Sequence, residues 1–247
     1  MNTLAVVLQR PETLVLSRLD LTPATDEDVV VDIEWSGIST GTERLLWSGR
    51  MPQFPGLGYP LVPGYESVGR ISAAGARSGG RVGDLVFVPG ARCFGDVRGL
   101  FGGAAARVVI PGARALRLEE RLGERGVLLA LGATAFHVSS HPGARQPDLI
   151  VGHGVLGRML ARLAVAAGSE PVVWETNPDR RAGALGYPVV DPASDTRRNY
   201  ACICDVSGDA SLLDALIGRL APGGEVVLAG FYDTPLSFVF PPAFWTS

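Results

Sequence analysis

A glycine-punctuated turn in the middle of the chain restricts the fold more than any other feature. Asp148-Leu-Ile-Val-Gly152-His-Gly154-Val-Leu-Gly157 reads as a short apolar strand, a tight turn and the start of a helix that continues to Ala167. Gly152 permits the turn, Gly154 lets backbone approach a pyrophosphate, and Gly157 lets helix and strand pack closely. A pyrophosphate would rest on the amides at the helix N-terminus, where the helix dipole favours negative charge. A second apolar run, Pro171-Val-Val-Trp-Glu175, ends in an acid 23 residues after Gly152, where ribose hydroxyls would lie. Strand, glycine turn, helix, strand and acid in this order predict a dinucleotide-binding unit, against the plainer reading of a structural glycine turn.

The material on either side differs in texture. Residues 1–120 hold short apolar or alternating runs at 4–8, 13–16, 29–35, 66–72, 84–89 and 105–110, most of them separated by Pro, Gly or Asp. Such punctuation predicts a compact, β-rich, barrel-like domain. In residues 121–247 the pattern changes, beginning with a helical stretch over 122–136. Strand patterns at 148–152, 171–175, 188–191, 201–206 and 224–230 then alternate with helical ones at 155–167, 178–185 and 210–220. That alternation predicts a doubly wound parallel sheet, so the fold class is α/β with two domains.

Composition excludes several functions. With 47% hydrophobic and 19% charged residues, the chain has the make-up of a soluble globular protein. A net charge of -3 without a basic stripe gives no electrostatic case for nucleic acid. No apolar run is long enough to span a bilayer, and the first residues lack the basic head of a signal peptide. Cys93, Cys202 and Cys204 have neither metal spacing nor a disulfide framework, and the last two fit a buried strand. The expectation is a cytoplasmic protein in a reducing compartment. All basic residues are arginine, which removes Schiff-base lysines, a P-loop lysine and the Tyr-Lys pair of short-chain dehydrogenases.

Several motifs in fixed order add to this. Gly37-Ile38-Ser39, Pro60-Leu-Val-Pro-Gly64-Tyr65-Glu66-Ser-Val-Gly69, Gly83-Asp84-Leu-Val, Phe101-Gly-Gly-Ala-Ala and Leu131-Gly-Ala-Thr134-Ala together resemble the medium-chain dehydrogenase/reductase family over essentially the whole chain. The resemblance implies an N-terminal GroES-like catalytic domain, a Rossmann domain and alcohol oxidation with a nicotinamide cofactor. In the family's zinc enzymes Cys, His and Cys hold the metal; the matching positions here are Ser39, Tyr65 and Ala130. None of these is a zinc ligand, so no metal is expected. The pattern also stops after the segment that follows the fifth Rossmann strand. The Rossmann domain is therefore expected to be incomplete at its C-terminus, and a homodimer built on the next strand stays open. Residues 35–59, with 86–92 and 99–104, resemble the branch that oxidises the 3-(1-hydroxyethyl) group of a bacteriochlorophyllide to acetyl in bacteriochlorophyll biosynthesis. That implies a tetrapyrrole substrate and NAD as hydride acceptor.

Oxidising a secondary alcohol requires a base for the hydroxyl proton and an acceptor for the hydride, and zinc commonly lowers the alcohol's pKa. Without zinc, a carbinol on a conjugated macrocycle can delocalise the positive charge that develops on carbon. The catalytic candidates are Ser39, Thr40, Tyr65 and Glu66, with Thr42 and Glu43 also on a proton path. Ser39 and Tyr65 match positions that face the reaction centre in relatives. Tyr65 could equally fill a vacated metal site, Glu66 could be a structural acid, and Glu43 a solvated helix-start charge. His137 could be a base, though a satisfied structural histidine is the plainer reading, and His153 would pack near the cofactor without chemistry. Cofactor binding falls to Gly152, Gly154, Leu156, Gly157, Glu175 and Thr134. Glu175 favours NAD by repelling a 2′-phosphate, while Arg180 and Arg181 keep NADP open. Trp47, Met51, Phe54, Tyr59 and Phe94 could wall a flat ring, and Arg50, Arg92 or Arg98 could meet its propionate. A zinc-free NADPH-dependent quinone or enoyl reductase and a non-catalytic pigment- or nucleotide-binding protein are the alternatives.

Overall fold

Alternating apolar residues build two small sheets in the first part of the chain. The structure, a computed structural model, describes residues 1–245. In chain order the strands are β1 (Asn2–Arg10), β2 (Thr13–Asp20), β3 (Asp28–Ser36), β4 (Leu61–Val62), β5 (Ser67–Ala74), β6 (Leu85–Val88), β7 (Arg98–Gly99), β8 (Arg107–Pro111) and β9 (Leu116–Arg117). A four-stranded sheet has the order β2-β1-β4-β7 and a five-stranded one β8-β3-β5-β6-β9. The β-branched positions suit this pleated, half-buried surface. Val29, Val31, Ile71, Val86, Val108 and Ile110 sit in one apolar core. A short helix, α1 (Thr42–Ser48), interrupts the strands and buries Leu45 and Leu46 against Leu8, Leu61 and Leu100.

The second part is a parallel sheet of the expected kind. Its elements are α2 (Leu129–Ser140), β10 (Leu149–Val151), α3 (Val155–Ala166), β11 (Val172–Trp174), β12 (Val189–Val190), β13 (Tyr200–Asp205), α4 (Leu213–Ile217), β14 (Leu220–Leu228) and α5 (Phe240–Trp245). The strand order is β12-β11-β10-β13-β14, and each neighbouring pair is parallel. Strand order therefore reverses at β10, and ligands of such sheets bind beyond the C-terminal ends of the strands at that reversal. Gly157, Leu160, Ala161 and Ala164 form the buried stripe of α3, spaced for one helical face. The chain divides into two compact units, Met1–Ala130 and Leu131–Ser247.

Three helical expectations need correction. The stretch over 122–136 is a 3-10 segment, Glu120–Leu128, broken at Gly123 (φ 46°, ψ -130°), before α2 begins. The stretch over 178–185 forms only one 3-10 turn, Pro178–Arg180. There Arg181 reaches back to the Glu175 carbonyl (2.8 Å) and to Asp191 (2.5 Å), which holds the chain out of a helix. The stretch over 210–220 reduces to a 3-10 turn and the five-residue α4, because the chain pairs early with β13: Leu220 stands opposite Tyr200, and a bulge absorbs the following Pro-Gly-Gly. Among the described residues no helix is long and apolar enough to cross a membrane.

Candidate active site

In the first unit, the turn between β3 and α1 is tied to the loop before β5. The Gly37 amide donates to the Glu66 carbonyl (2.7 Å), and the Glu43 amide donates to the Ser39 carbonyl (2.8 Å) at the start of α1. A Cβ on Gly37 would lie 2.5 Å from Glu66 Oε2, so only glycine leaves room for that carboxylate. These ties gather three hydroxyls. The Tyr65 phenol donates to Ser39 Oγ (2.5 Å), and Thr42 Oγ1 lies 3.4 Å from the same phenol oxygen. Phe101 packs against the Tyr65 ring, with centroids 5.3 Å apart and an interplanar angle of 84°. Ser39 and Glu66 are buried, and Glu66 Oε1 has no hydrogen-bond partner. Thr40 is exposed on the turn and takes no part in the cluster's hydrogen bonds.

Burial dominates the electrostatics here. It pushes the Glu43 carboxyl up to about 7, with the charge of Glu66 adding to the effect. Burial also raises Glu66, against a lowering hydrogen bond from Ser39. The Tyr65 phenol is raised by burial too, although Ser39 and Thr42 hydrogen bonds oppose the shift. Glu43 is half-buried at the start of α1 and so is not a fully solvated helix-start charge.

Ser39 and Tyr65 present hydroxyl oxygens, and the Ala130 side chain presents no donor. This donor set does not fit a zinc ion. Among the described residues, no three His, Cys, Asp or Glu side chains come together as a metal group. Two expected ring walls need correction: Met51 and Phe94 are 5% and 3% exposed and belong to apolar cores. The Tyr59 hydroxyl donates to the Leu46 carbonyl, and Arg98 donates to the Tyr59 carbonyl (3.2 Å). Ile38, next to Ser39, is 74% exposed, and Phe101 is 39% exposed against Tyr65. These two apolar residues flank the hydroxyls, and the sequence reading passed over them.

In the second unit, β10 runs into Gly152, whose φ of 108° suits glycine. A Cβ on Gly157 would lie 1.9 Å from the Gly152 carbonyl oxygen, so the close approach of helix and strand excludes any other residue. Gly154 is the N-cap of α3 and gives no side-chain cap, which leaves the first amides of the helix unclaimed by side chains. A Cβ on Gly154 would meet nothing within 4 Å. Open space in front of free amides at the sheet's reversal point fits a pyrophosphate.

Glu175 follows β11 and is buried. Its Oε2 accepts from the His153 amide (3.1 Å) and its Oε1 from the Asn177 amide (2.9 Å). Each oxygen keeps lone-pair capacity for a ribose hydroxyl. His153 is also buried, with Nδ1 2.6 Å from the Arg180 carbonyl and Nε2 3.0 Å from the Tyr187 hydroxyl. A carbonyl only accepts, so Nδ1 carries the proton and Nε2 accepts from Tyr187. Burial lowers the pKa of this histidine, and its bonds to the Arg180 carbonyl and the Tyr187 hydroxyl tie the glycine turn to the residues after β11. Leu156 is half-buried on α3 and packs on the sheet core. Thr134 and His137 lie on exposed positions of α2.

Comparison with known proteins agrees with this architecture. Residues 25–120 match the alcohol dehydrogenase GroES-like domain. The chain is 55% identical over 246 residues to 2-desacetyl-2-hydroxyethyl bacteriochlorophyllide A dehydrogenase of Rhodobacter capsulatus, covering 99% of this chain and 78% of that protein. Among solved structures, an alcohol dehydrogenase of E. coli CFT073 in complex with NADH superposes with a TM-score of 0.79 at 20% identity, covering 99% of this chain and 81% of that one. A dehydrogenase of Sinorhizobium meliloti 1021 bound to NADP gives a TM-score of 0.79 at 20% identity, covering 100% and 82%. The GroES-like unit, the parallel sheet reversing at β10 and this identity place the chain in the medium-chain dehydrogenase/reductase family, with bacteriochlorophyllide dehydrogenases among its near relatives.

Proposed function

We propose that the protein oxidises the 3-(1-hydroxyethyl) group of a bacteriochlorophyllide to acetyl in the cytoplasm, using NAD and no zinc, as a step of bacteriochlorophyll a biosynthesis. The observation that carries the reading is 55% identity, across 99% of the chain, to a dehydrogenase named for that substrate. Zinc independence is supported by the hydroxyl cluster of Ser39, Thr42 and Tyr65 at the position of a metal site. Ile38 and Phe101 supply exposed apolar surface beside those hydroxyls, suited to a flat macrocycle.

A nicotinamide dinucleotide supplies the hydride acceptor when bound. The backbone of Gly152, Gly154 and Gly157 would hold its pyrophosphate, Glu175 its adenosine ribose, and Leu156 and Thr134 would line its nicotinamide. The carboxylate of Glu175 disfavours a 2′-phosphate, which supports NAD. Arg181 is engaged by the Glu175 and Thr176 carbonyls and by Asp191, and so makes a poor phosphate clamp. Arg180 has an exposed side chain and is the feature that favours the NADPH-dependent reductase reading.

In the oxidation, the alcohol's O–H proton passes to the protein and its C–H bond breaks with loss of a hydride. Ser39 and Tyr65 orient the hydroxyl and form the first step of the proton path, Glu66 holds the Ser39 side of that path, and Thr40 lies at its exposed edge. The test is absorbance of 3-(1-hydroxyethyl) bacteriochlorophyllide a mixed with the protein and NAD, with and without a chelator. The expected result is a shift to the acetyl pigment that survives the chelator and is slower with NADP. Loss of turnover on chelation overturns the metal-free reading, and preference for NADPH with a quinone moves the assignment to the reductase.

A further inference from the structure

We propose that His153 and Arg158 set the adenosine end of the cofactor site: together they clamp the Arg180 carbonyl, hold the segment after β11 against the glycine turn, and so fix the Glu175 carboxylate that selects an unphosphorylated ribose. The inference rests on the NAD reading and names the positioning residues which that reading lacks. His153 is 1% exposed, and each of its polar groups has a partner. Its amide donates to Glu175 Oε2 (3.1 Å), and its carbonyl accepts from Arg158 Nε (3.1 Å). Ring Nδ1 lies 2.6 Å from the Arg180 carbonyl, and ring Nε2 lies 3.0 Å from the Tyr187 hydroxyl. The glycine turn itself does not call for these bonds, because Gly152 and Gly157 already supply its backbone freedom and close packing.

Arg158 completes the clamp. Its Nη2 donates to the Arg180 carbonyl (2.8 Å), so one carbonyl oxygen takes a guanidinium and an imidazole N–H at once. Two lone pairs on that oxygen allow both bonds. The helix dipole disfavours a cation near the N-terminus of α3, so the carbonyl contacts, and not the helix, account for an arginine at this place. The chain also leaves room for it: a Cβ on Gly183, whose φ is 81°, would lie 2.7 Å from Arg158 Nη1. Tyr187 is buried and packs edge-on against His153, with centroids 5.7 Å apart, which holds the far end of the segment. Arg181 ties the same segment to the Glu175 carbonyl and to Asp191, but not to the glycine turn.

The consequence falls on Glu175. Its two oxygens accept from the His153 and Asn177 amides, which fixes the carboxylate at the end of β11. Fixed there, it accepts from ribose hydroxyls and repels a 2′-phosphate. Without the clamp, the stretch from Asn177 to Tyr187 is released from the glycine turn and the carboxylate can turn away. NAD then loses an acceptor, while NADP loses a repulsion. A defect of general packing would weaken both nucleotides alike, so the ratio of their affinities separates positioning from mere support.

The test measures dissociation constants of NAD and NADP by calorimetry for the full chain and for its Arg158→Lys and Tyr187→Phe variants. Arg158→Lys keeps the charge but loses the planar fork that reaches both carbonyls. It should weaken NAD about tenfold and leave NADP unchanged or tighter. Tyr187→Phe should move the ratio the same way by a smaller factor, since the ring stays and only the bond to His153 is lost. A second readout needs no nucleotide. Trypsin cleavage between Arg180 and Arg181, followed by mass spectrometry, should be about tenfold faster in Arg158→Lys than in wild type, because the segment opens locally. If Arg158→Lys does not fold, Tyr187→Phe carries both measurements. An unchanged ratio in the variants, with wild type still preferring NAD, overturns the clamp and leaves the NAD reading standing. So does an unchanged cleavage rate, and so does equal weakening of both nucleotides. Wild type that prefers NADP or binds neither nucleotide overturns the NAD reading and this inference with it.

Discussion

At the scale of single residues, the proposed zinc-free oxidation depends on what the hydroxyls around Tyr65 can do in place of a Lewis acid. A phenol hydrogen-bonded to a serine at 2.5 Å can orient an alcohol and carry its proton, but it stabilises an alkoxide far less than a metal would. Tyr65→Phe removes the phenol oxygen and leaves Ser39 and Thr42 without their common partner, while the ring still packs on Phe101. The expected result is a loss of about a hundredfold in kcat with an unchanged dissociation constant for NAD, measured by steady-state kinetics and calorimetry. A parallel loss of NAD affinity would place Tyr65 in a different role. That Ser39, Tyr65 and Glu66 lie together was readable from the sequence because they occupy motif positions. The burial of Glu43 was not, because desolvation depends on what the chain brings over a carboxylate from 23 residues away. Met51 and Phe94 failed for the related reason that an apolar side chain does not announce which way it faces.

At the scale of elements, α3 and the glycine turn show how the pattern becomes structure. Gly157 stands on the same helical face as Leu160, Ala161 and Ala164, and the contact of that face with β10 is too close for a Cβ. Gly157→Ala should either push α3 off the sheet or distort Gly152, since backbone cannot yield as a flexible side chain can. The expected outcome is a loss of about 1–3 kcal/mol in stability with NAD binding weakened at least tenfold, read from chemical denaturation and calorimetry. A stable variant that binds NAD normally would show that this packing does not set the pyrophosphate site. Strands and α3 were legible because their periods are short and their ends are marked by Gly, Pro or acid. The helices drawn over 178–185 and 210–220 were not, since Arg181 and the early pairing of Leu220 with Tyr200 are tertiary effects that override local propensity.

At the scale of the whole molecule, the two units should respond separately to heating and to ligands. Each has its own apolar core, so a single two-state transition is not the expectation. The texture of the sequence changes near residue 120, whereas the compact units divide between Ala130 and Leu131, a place set by contacts that sequence texture does not show. A ligand that binds only the folded form stabilises the unit that holds it by mass action. NAD at about one hundred times its dissociation constant should therefore raise the stability of the unit carrying Gly152 and Glu175 by about 2.7 kcal/mol. The transition of the unit carrying Ser39 and Tyr65 should respond to neither NAD nor chelator, because Ser39 and Tyr65 offer hydroxyls and Ala130 offers no donor. Differential scanning calorimetry of the full chain with NAD, with chelator and with both separates these contributions. A chelator-induced fall in the first unit's transition would reveal a metal that holds that unit together, and the proton path would then need to be rebuilt around it.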